Sequence, residues 1–245
     1  MADHTAPGPQ AGDALSAAEL AALAKLDTPT ICNALEIVAP ERRAAGFTVR
    51  PLVCAFPDLP PMIGYARTAT IRSTRPAGRP AADLRRQRAA YYEYVGGGPD
   101  PRICVIQDLD GDAAGFGAFW GEVQSNIHKA LGCLGVVTDG SVRDLPQVAP
   151  GFQMLARMIA PSHAHVHLVD FGTQVNVAGM LVQSGDLVHA DRHGAVVIPL
   201  AAARQVAAAA DLCARREAVV LAACRRPDFT PATLQRAISE SDAIH

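Results

Sequence analysis

Three residues of this chain, Glu122, Arg143 and Asp144, could do chemistry together if folding gathers them. Two carboxylates and a guanidinium fork that stays charged at any working pH can grip a charged ligand and move a proton. Each also has a plainer reading. Arg143-Asp144 ends the segment VVTDGSVRD (136–144), and adjacent opposite charges on a surface turn contribute only about 0–1 kcal/mol. Glu122 follows the Gly-rich segment GDAAGFGAFWG (111–121) and opens a helix, where free N–H groups and the macrodipole favour any acid. The chemical reading requires all three on one cleft.

The intervening elements permit it. An apolar strand RICVIQD (102–108), the Gly-rich loop, a helix over 122–131 and a strand LGVVTD ending at 139 form an α/β crossover. Loops at the carboxyl ends of strands collect ligands in such units, so the site is expected between Asp108 and Asp144. The helix and the next strand return the chain, so Glu122 and Arg143, about twenty residues apart, can face the same side.

The rest of the chain supplies the scaffold. Ser16 with Glu19 makes a capping-box pattern, and Thr28-Pro29 restarts a second short helix. ATIRST (69–74) reads as a strand, and a helix over about 82–95 closes at Gly96-Gly97-Gly98. QMLARM (153–158), HAHVHLVDFG (163–172) and VNVAGMLVQSGDLVHADRHGAVVIP (175–199) read as short strands. An Ala-rich helix follows over about 200–225, then a shorter one introduced by Thr230-Pro231. The expected organisation is a tail over 1–14, one domain over 15–225 and a helical extension over 226–245.

The 245 residues are 49% hydrophobic and 5% aromatic, enough for one sizeable aliphatic core. Lys+Arg 22 against Asp+Glu 24 leaves a net charge of -2, which provides no field for nucleic acid or an anionic membrane. No apolar run approaches the roughly 20 residues of a membrane span, and the first residues lack a signal-peptide layout, so a cytoplasmic protein is expected. The six cysteines show no CxxC or other ligand-like spacing and read as reduced core residues. No internal repeat and no GxGxxG nucleotide fingerprint is present.

GAFWGEVQSNIHKALGCLGVVTDGSVRD (117–144) resembles the signature of the RraA-like proteins, including the 4-hydroxy-4-methyl-2-oxoglutarate and 4-carboxy-4-hydroxy-2-oxoadipate aldolases. GMLVQSGDLVHADRHGAVVIP (179–199) and LDTPTICNALE (26–36) are similar to further segments of that family, so the resemblance spans roughly residues 20–200. Two positions depart from it: Asn33 and Gln147 stand where many or some members carry a carboxylate.

The resemblance implies an α/β fold of layered β/β/α type with flanking N- and C-terminal helices, in a homotrimer or homohexamer. It implies a lyase in which Asp144 anchors Mg²⁺ or Mn²⁺ and Arg143 grips the 2-keto acid end of a small-molecule substrate. Amides near Trp120 and Gly121 would hold the substrate carboxylate, while Glu122 positions a water on the cation for proton transfer. Retro-aldol cleavage of a 4-hydroxy-2-oxo acid and decarboxylation of oxaloacetate would both pass through a pyruvate enolate. Only Lys25 and Lys129 are available for a Schiff base, and neither occupies a position that reads as a buried pocket. The alternative within the same family is a non-catalytic regulator that binds a ribonuclease or helicase.

Other polar clusters read as structural. His163, His165 and His167 alternate along the expected strand, but i and i+4 lie roughly 13 Å apart on a strand, too far to close on one zinc. His189, Asp191 and His193, with Asp186 in a turn, are read as supporting residues. The three arginines with Tyr91, Tyr92 and Tyr94 in ADLRRQRAAYYEYV make a solvated face with an aromatic edge rather than a base-stacking platform.

Overall fold

A computed structural model describes residues 14–245. The tail expected over 1–14 lies, up to residue 13, outside the described residues. Chain order gives α1 (Ala17–Leu23), α2 (Thr28–Val38), β1 (Val53–Cys54), β2 (Met62–Arg72), α3 (Ala81–Gly96), β3 (Arg102–Asp108), β4 (Ala118–Trp120), α4 (Glu122–Ala130), β5 (Cys133–Thr138) and β6 (Ser141–Val142). There follow β7 (Gln153–Ala156), β8 (Met158–Ile159), β9 (His167–Phe171), β10 (Val175–Val177), β11 (Met180–Val182), β12 (Leu187–Asp191), β13 (Gly194–Ile198), α5 (Leu200–Cys224) and α6 (Pro231–Asp242).

The helix starts follow the local chemistry. Ser16 and Glu19 form the reciprocal capping box at α1, Asp27 accepts the Thr30 N–H at α2 with Pro29 behind it, and Thr230 caps α6. Each such cap contributes about 1 kcal/mol.

The main sheet has strand order β1-β7-β5-β3-β2-β12-β13, with β9 also pairing β2. Its centre, β7-β5-β3-β2, is parallel, and β1, β9, β12 and β13 pair antiparallel at the margins. Strand alternation separates two cores. Ala69 and Ile71 of β2, Cys104 and Ile106 of β3 and Met154 of β7 point toward Tyr91 and Val95 of α3 and toward Trp120 and Phe152. On the same side of β2, Ile63 and Tyr65 meet Ile31 and Leu35 of α2 and Val206 of α5. The intervening residues Ala66, Ile103, Val105, Val137 and Leu155 pack under the β10–β11 hairpin through Val175, Val177, Met180 and Val182. Hairpin, sheet and helices thus make the β/β/α layering that the resemblance implied.

Some boundaries differ from the sequence reading. The strand expected at 69–74 is the 11-residue β2, buried on both faces up to its last residue, so it shows no alternation to mark its start. The strand expected at 163–172 is strand only from His167. Residues before it form a turn with Ala164 in the left-handed region (φ 46°), so the three histidines do not alternate along one strand. Of the cysteines, Cys104 and Cys133 are buried, whereas Cys224 is exposed at the end of α5 and Cys32, Cys54 and Cys213 are half-buried. All six are free thiols, and only two belong fully to the core.

Candidate active-site cleft

A second, three-stranded parallel sheet of order β4-β6-β8 builds the site. Its strands are only two or three residues long, and a register shift between Ala118 and Trp120 interrupts the pairing of β4 with β6. Trp120 lies beside Val142, and Val142 beside Ile159. The Arg143 N–H donates to Trp120 O at 2.9 Å, and the Ala160 N–H to Val142 O at 3.0 Å. Parallel strands end on the same side, so the residues that follow them are delivered together: Gly121-Glu122 after β4, Arg143-Asp144 after β6, and the turn with His163 and His165 beyond β8.

These ends surround a cleft of about 520 Å³ whose lining includes Gly121, Glu122, Arg143, Asp144, His163, His165 and His167, with Gln87 and Arg88 of α3 opposite. Glu122, Arg143, Asp144 and Gly121 therefore come together as expected. Trp120 does not line the cleft. Its ring is 1% exposed, stacks on Phe152 at 5.6 Å and tilts against His128 at 4.5 Å, so its side chain belongs to the core beneath. Asn33, exposed on α2, and Gln147, exposed beyond Asp144, also stay out of the lining.

Within the cleft, Arg143 Nε sits 3.3 Å from Asp144 Oδ2. This leaves the two terminal guanidinium nitrogens without a hydrogen-bond partner among the described residues. The same Asp144 oxygen accepts a long bond, 3.4 Å, from the Glu122 N–H, placing negative charge at the start of α4 where the macrodipole favours it. No side chain of α4's own segment caps this end, because Gly121 is the N-cap. A Cβ built on Gly121 would lie 2.5 Å from Asp144 Oδ2 and 3.1 Å from Arg143 Cγ, so any larger residue would displace the Asp144 carboxylate from its observed place. Asp144 itself is left-handed (φ 53°, ψ 36°), a conformation that Asp tolerates better than most residues but that still stores about 1–2 kcal/mol. The Glu122 carboxylate makes no hydrogen bond or ion pair among the described residues.

The support beneath is buried. Ser125 Oγ donates to Glu122 O at 2.8 Å and accepts the Ala149 N–H at 3.1 Å, tying the first turn of α4 to the chain beyond Asp144. His128 is buried, with Nδ1 2.7 Å from Gln124 O and Nε2 2.8 Å from the Tyr91 hydroxyl. Burial pushes its pKa down to about 4, so it is neutral near pH 7, donating from Nδ1 and accepting from Tyr91. The aromatic edge of α3 is accordingly packing: Tyr94 bonds Ser184, and Tyr92 bonds Gln124. His189 and Asp191 hold Thr28 and Leu26 at the start of α2, and Asp186 accepts the Gln183 N–H in its turn, the structural roles expected of them.

Among the described residues no group of three or more His, Cys, Asp or Glu side chains could hold a metal ion. The donor set at the cleft is instead two neighbouring, partly exposed carboxylates with spare oxygen lone pairs. That set fits a cation such as Mg²⁺, which retains most of its water and binds through one or two carboxylates, and does not fit the closed site of a structural zinc.

Comparisons with known proteins agree with this architecture. A protein of Methanocaldococcus jannaschii, named only as uncharacterized, is 32% identical over 96 residues, which is 38% of this chain and 46% of that one. A crystal structure of a Pseudomonas syringae pv. tomato protein superposes with a TM-score of 0.69 at 21% identity, covering 92% of this chain and 95% of the other. Streptomyces coelicolor RraAS2, described as an unusual member of the RNase ES inhibitor RraA protein family, superposes with a TM-score of 0.65 at 24% identity, covering 83% and 96%. The RraA-like family, described as Aldolase/RraA, matches residues 28–197, the stretch that holds both sheets and the whole cleft, and the chain belongs to that family.

Proposed function

We propose that the chain is a divalent-metal-dependent lyase that breaks a carbon–carbon bond next to a 2-keto acid. The family takes in both metal-dependent aldolases and ribonuclease inhibitors, and membership alone decides neither. The observation that carries the reading is the unspent charge in one cleft: an Arg143 fork with both terminal nitrogens available, 3.3 Å from an Asp144 carboxylate, beside a Glu122 carboxylate with no partner of its own. A surface that only docks a protein gains nothing from holding Asp144 in the left-handed region.

Asp144, with Glu122 through water, would hold Mg²⁺ or Mn²⁺, which when bound supplies Lewis-acid stabilisation of enolate charge without a lysine Schiff base. Arg143 binds the keto-acid end of the substrate through two parallel N–H donors and faces the oxygen on which negative charge grows. Backbone N–H groups at the entrance of α4, beginning with Gly121, receive the carboxylate. In the retro-aldol direction Glu122, acting through a water, takes the proton of the 4-hydroxyl as the C3–C4 bond breaks. A carbonyl compound departs, and the electron pair remains on the pyruvate enolate. The same proton returns to C3 and completes pyruvate. In decarboxylation of oxaloacetate the bond from C3 to the departing carboxylate breaks, CO₂ leaves with no proton removed, and the enolate takes its C3 proton from a water beside Glu122. The resemblance that suggests this chemistry also suggests a homotrimer or homohexamer; among the described residues no helix is long and apolar enough to cross a membrane.

Purified protein incubated with oxaloacetate or 4-hydroxy-4-methyl-2-oxoglutarate is expected to release pyruvate with Mg²⁺ or Mn²⁺ and to stop on addition of EDTA. Release that EDTA does not affect, or no release from any 4-hydroxy-2-oxo acid, overturns the reading and leaves a regulator of a ribonuclease or helicase as the function to pursue by pull-down.

A further inference from the structure

Two carboxylates outside the cleft connect the strands that carry it. Asp108 ends β3, and its Oδ1 accepts the Asp110 N–H at 3.0 Å while Oδ2 accepts the Gly115 N–H at 2.8 Å. Both amides belong to the loop that leads into β4 and Glu122. Asp139 follows the last residue of β5, and its Oδ1 accepts the Asp108 N–H at 2.7 Å. From Asp139 the chain passes through Gly140 into β6 and Arg143-Asp144. One short relay of hydrogen bonds therefore joins the segment that delivers Glu122 to the segment that delivers Arg143 and Asp144, at the point where each leaves the main sheet. Neither carboxylate lines the cleft itself. They face a separate cavity of about 710 Å³.

We propose that the Asp108–Asp139 couple is a positioning device that fixes the spacing between Glu122 and the Arg143-Asp144 pair. The proposal rests on the lyase reading for its kinetic consequences but not for its structural ones. Both side chains accept N–H bonds that hold best with an ionised acceptor. Burial pushes the Asp139 carboxyl up to about 6, opposed first by the bond from the Asp108 N–H, with the Asp108 charge adding to the rise and Arg50 opposing it, and burial also raises Asp108. The other charged groups facing the cavity are Arg157, following β7, and Asp112, in the loop after β3; Asp110 and Arg72 act on Asp108 from its far side. As pH falls through about 6, Asp139 becomes a neutral, weaker acceptor and the tie to Asp108 loosens.

Two substitutions separate positioning from bulk stability. Asp139→Asn keeps a carbonyl oxygen for the Asp108 N–H but cannot titrate, whereas Asp139→Ala removes the acceptor. In hydrogen-exchange mass spectrometry on the full chain at pH 8, Asp139→Ala is expected to speed exchange of residues 109–117 and 140–144 by about tenfold, with the strands of the main sheet unchanged. Asp139→Asn, a neutral acceptor like the protonated acid, is expected to give protection between that of Asp139→Ala and wild type, and to hold it unchanged as pH falls to 6. In the pyruvate assay Asp139→Ala lowers kcat by about tenfold or more with little change in KM. Asp139→Asn gives a kcat at pH 8 between those of wild type and Asp139→Ala and loses the acid limb that wild type shows near pH 6. Unchanged local exchange in Asp139→Ala, or exchange raised across the whole domain and equally in both variants, overturns the proposal. If wild type releases no pyruvate, the lyase reading fails and the exchange comparison alone decides this one.

Discussion

Gly121→Ala is the substitution whose outcome depends most directly on the geometry of the cleft. The backbone at residue 121 is extended (φ −172°, ψ −157°), so alanine adopts it without strain and the effect comes from the added methyl alone. That methyl would lie 2.5 Å from Asp144 Oδ2, against an ordinary contact of 3.4 Å or more; the carboxylate must retreat by about 3.4 − 2.5 = 0.9 Å. Misplacement of about 1 Å in a positioned group costs roughly a hundredfold in rate, or about 2.7 kcal/mol of barrier. Because the carboxylate end can swing toward solvent, the fold should lose no more than about 1 kcal/mol, a shift of roughly 2–4 °C in melting temperature. Three measurements on one preparation test this: metal-dependent pyruvate release, Mn²⁺ affinity by electron paramagnetic resonance, and thermal melting. A variant with wild-type kcat/KM and wild-type Mn²⁺ affinity would show that Asp144 does not need its observed position, and the cation-anchoring role would fall with it.

Arg143→Lys should lower kcat/KM by about a hundredfold to a thousandfold, because a single ammonium cannot replace two parallel donors aimed at one oxygen pair; wild-type kinetics would remove Arg143 from the reaction. Glu122→Gln should reduce kcat by about 10²–10⁴ while Mn²⁺ affinity changes far less than in Asp144→Asn, and the reverse pattern would exchange the roles given to the two acids. His128 makes stability depend on pH. Its folded pKa is pushed down to about 4 from an ordinary 6.5, so the unfolded chain binds the proton first, and stability present above pH 6.5 is lost as pH falls toward 4. The contribution is about 3 kcal/mol. Asp139, raised to about 6, acts with the opposite sign over a similar range, so the test is a difference. Urea unfolding at pH 7 and pH 4 should show wild type losing about 3 kcal/mol relative to His128→Gln. Equal losses would mean that His128 is already charged in the fold.

What could be read from the sequence follows from how strongly each residue's neighbours in the chain determine its place. The Ser16–Glu19 capping box, the Thr28-Pro29 and Thr230-Pro231 starts and the limits of α5 depend on local backbone chemistry, and they stand where the sequence puts them. The buried strand β3 was legible because an apolar run bounded by turns has few alternatives. The sheet of β4, β6 and β8 was not, since strands of two or three residues show no period and are held by partners distant in the chain. That is why the gathering of Glu122, Arg143 and Asp144 was permitted by spacing while its cause, three neighbouring parallel strand ends, was invisible. The histidine turn was misread for a related reason: alternation in HAHVHLVDFG imitates a strand, yet Ala164 adopts a left-handed backbone and Gly117 packs a would-be Cβ 2.6 Å from His163 O. That close approach can only be known once β4 has been placed. A glycine facing a turn across the chain was the available signal, and it cannot be told from a loop glycine by sequence alone.

The arrangement separates what holds the fold from what could do chemistry. Thr138, Ser141, Ser125 and His128 beneath the cleft are fully buried, whereas Arg143 and Asp144 keep about a third of their side chains exposed (34% and 36%). An exposed ion pair contributes little to stability, so natural or engineered changes at Arg143 and Asp144 can alter ligand chemistry without endangering the sheet. The same exposure weakens their electrostatic grip, because charges in contact with bulk water interact several-fold less strongly than charges shielded from it. A cleft with these residues therefore gains most of its force when something covers it. The wall formed by His163, His165 and Arg88 marks where a bound substrate would complete the enclosure. Substrates long enough to reach that wall should exclude more water than pyruvate itself and should turn over faster at equal occupancy; a kcat independent of substrate length would show that the open cleft already has all the force it needs.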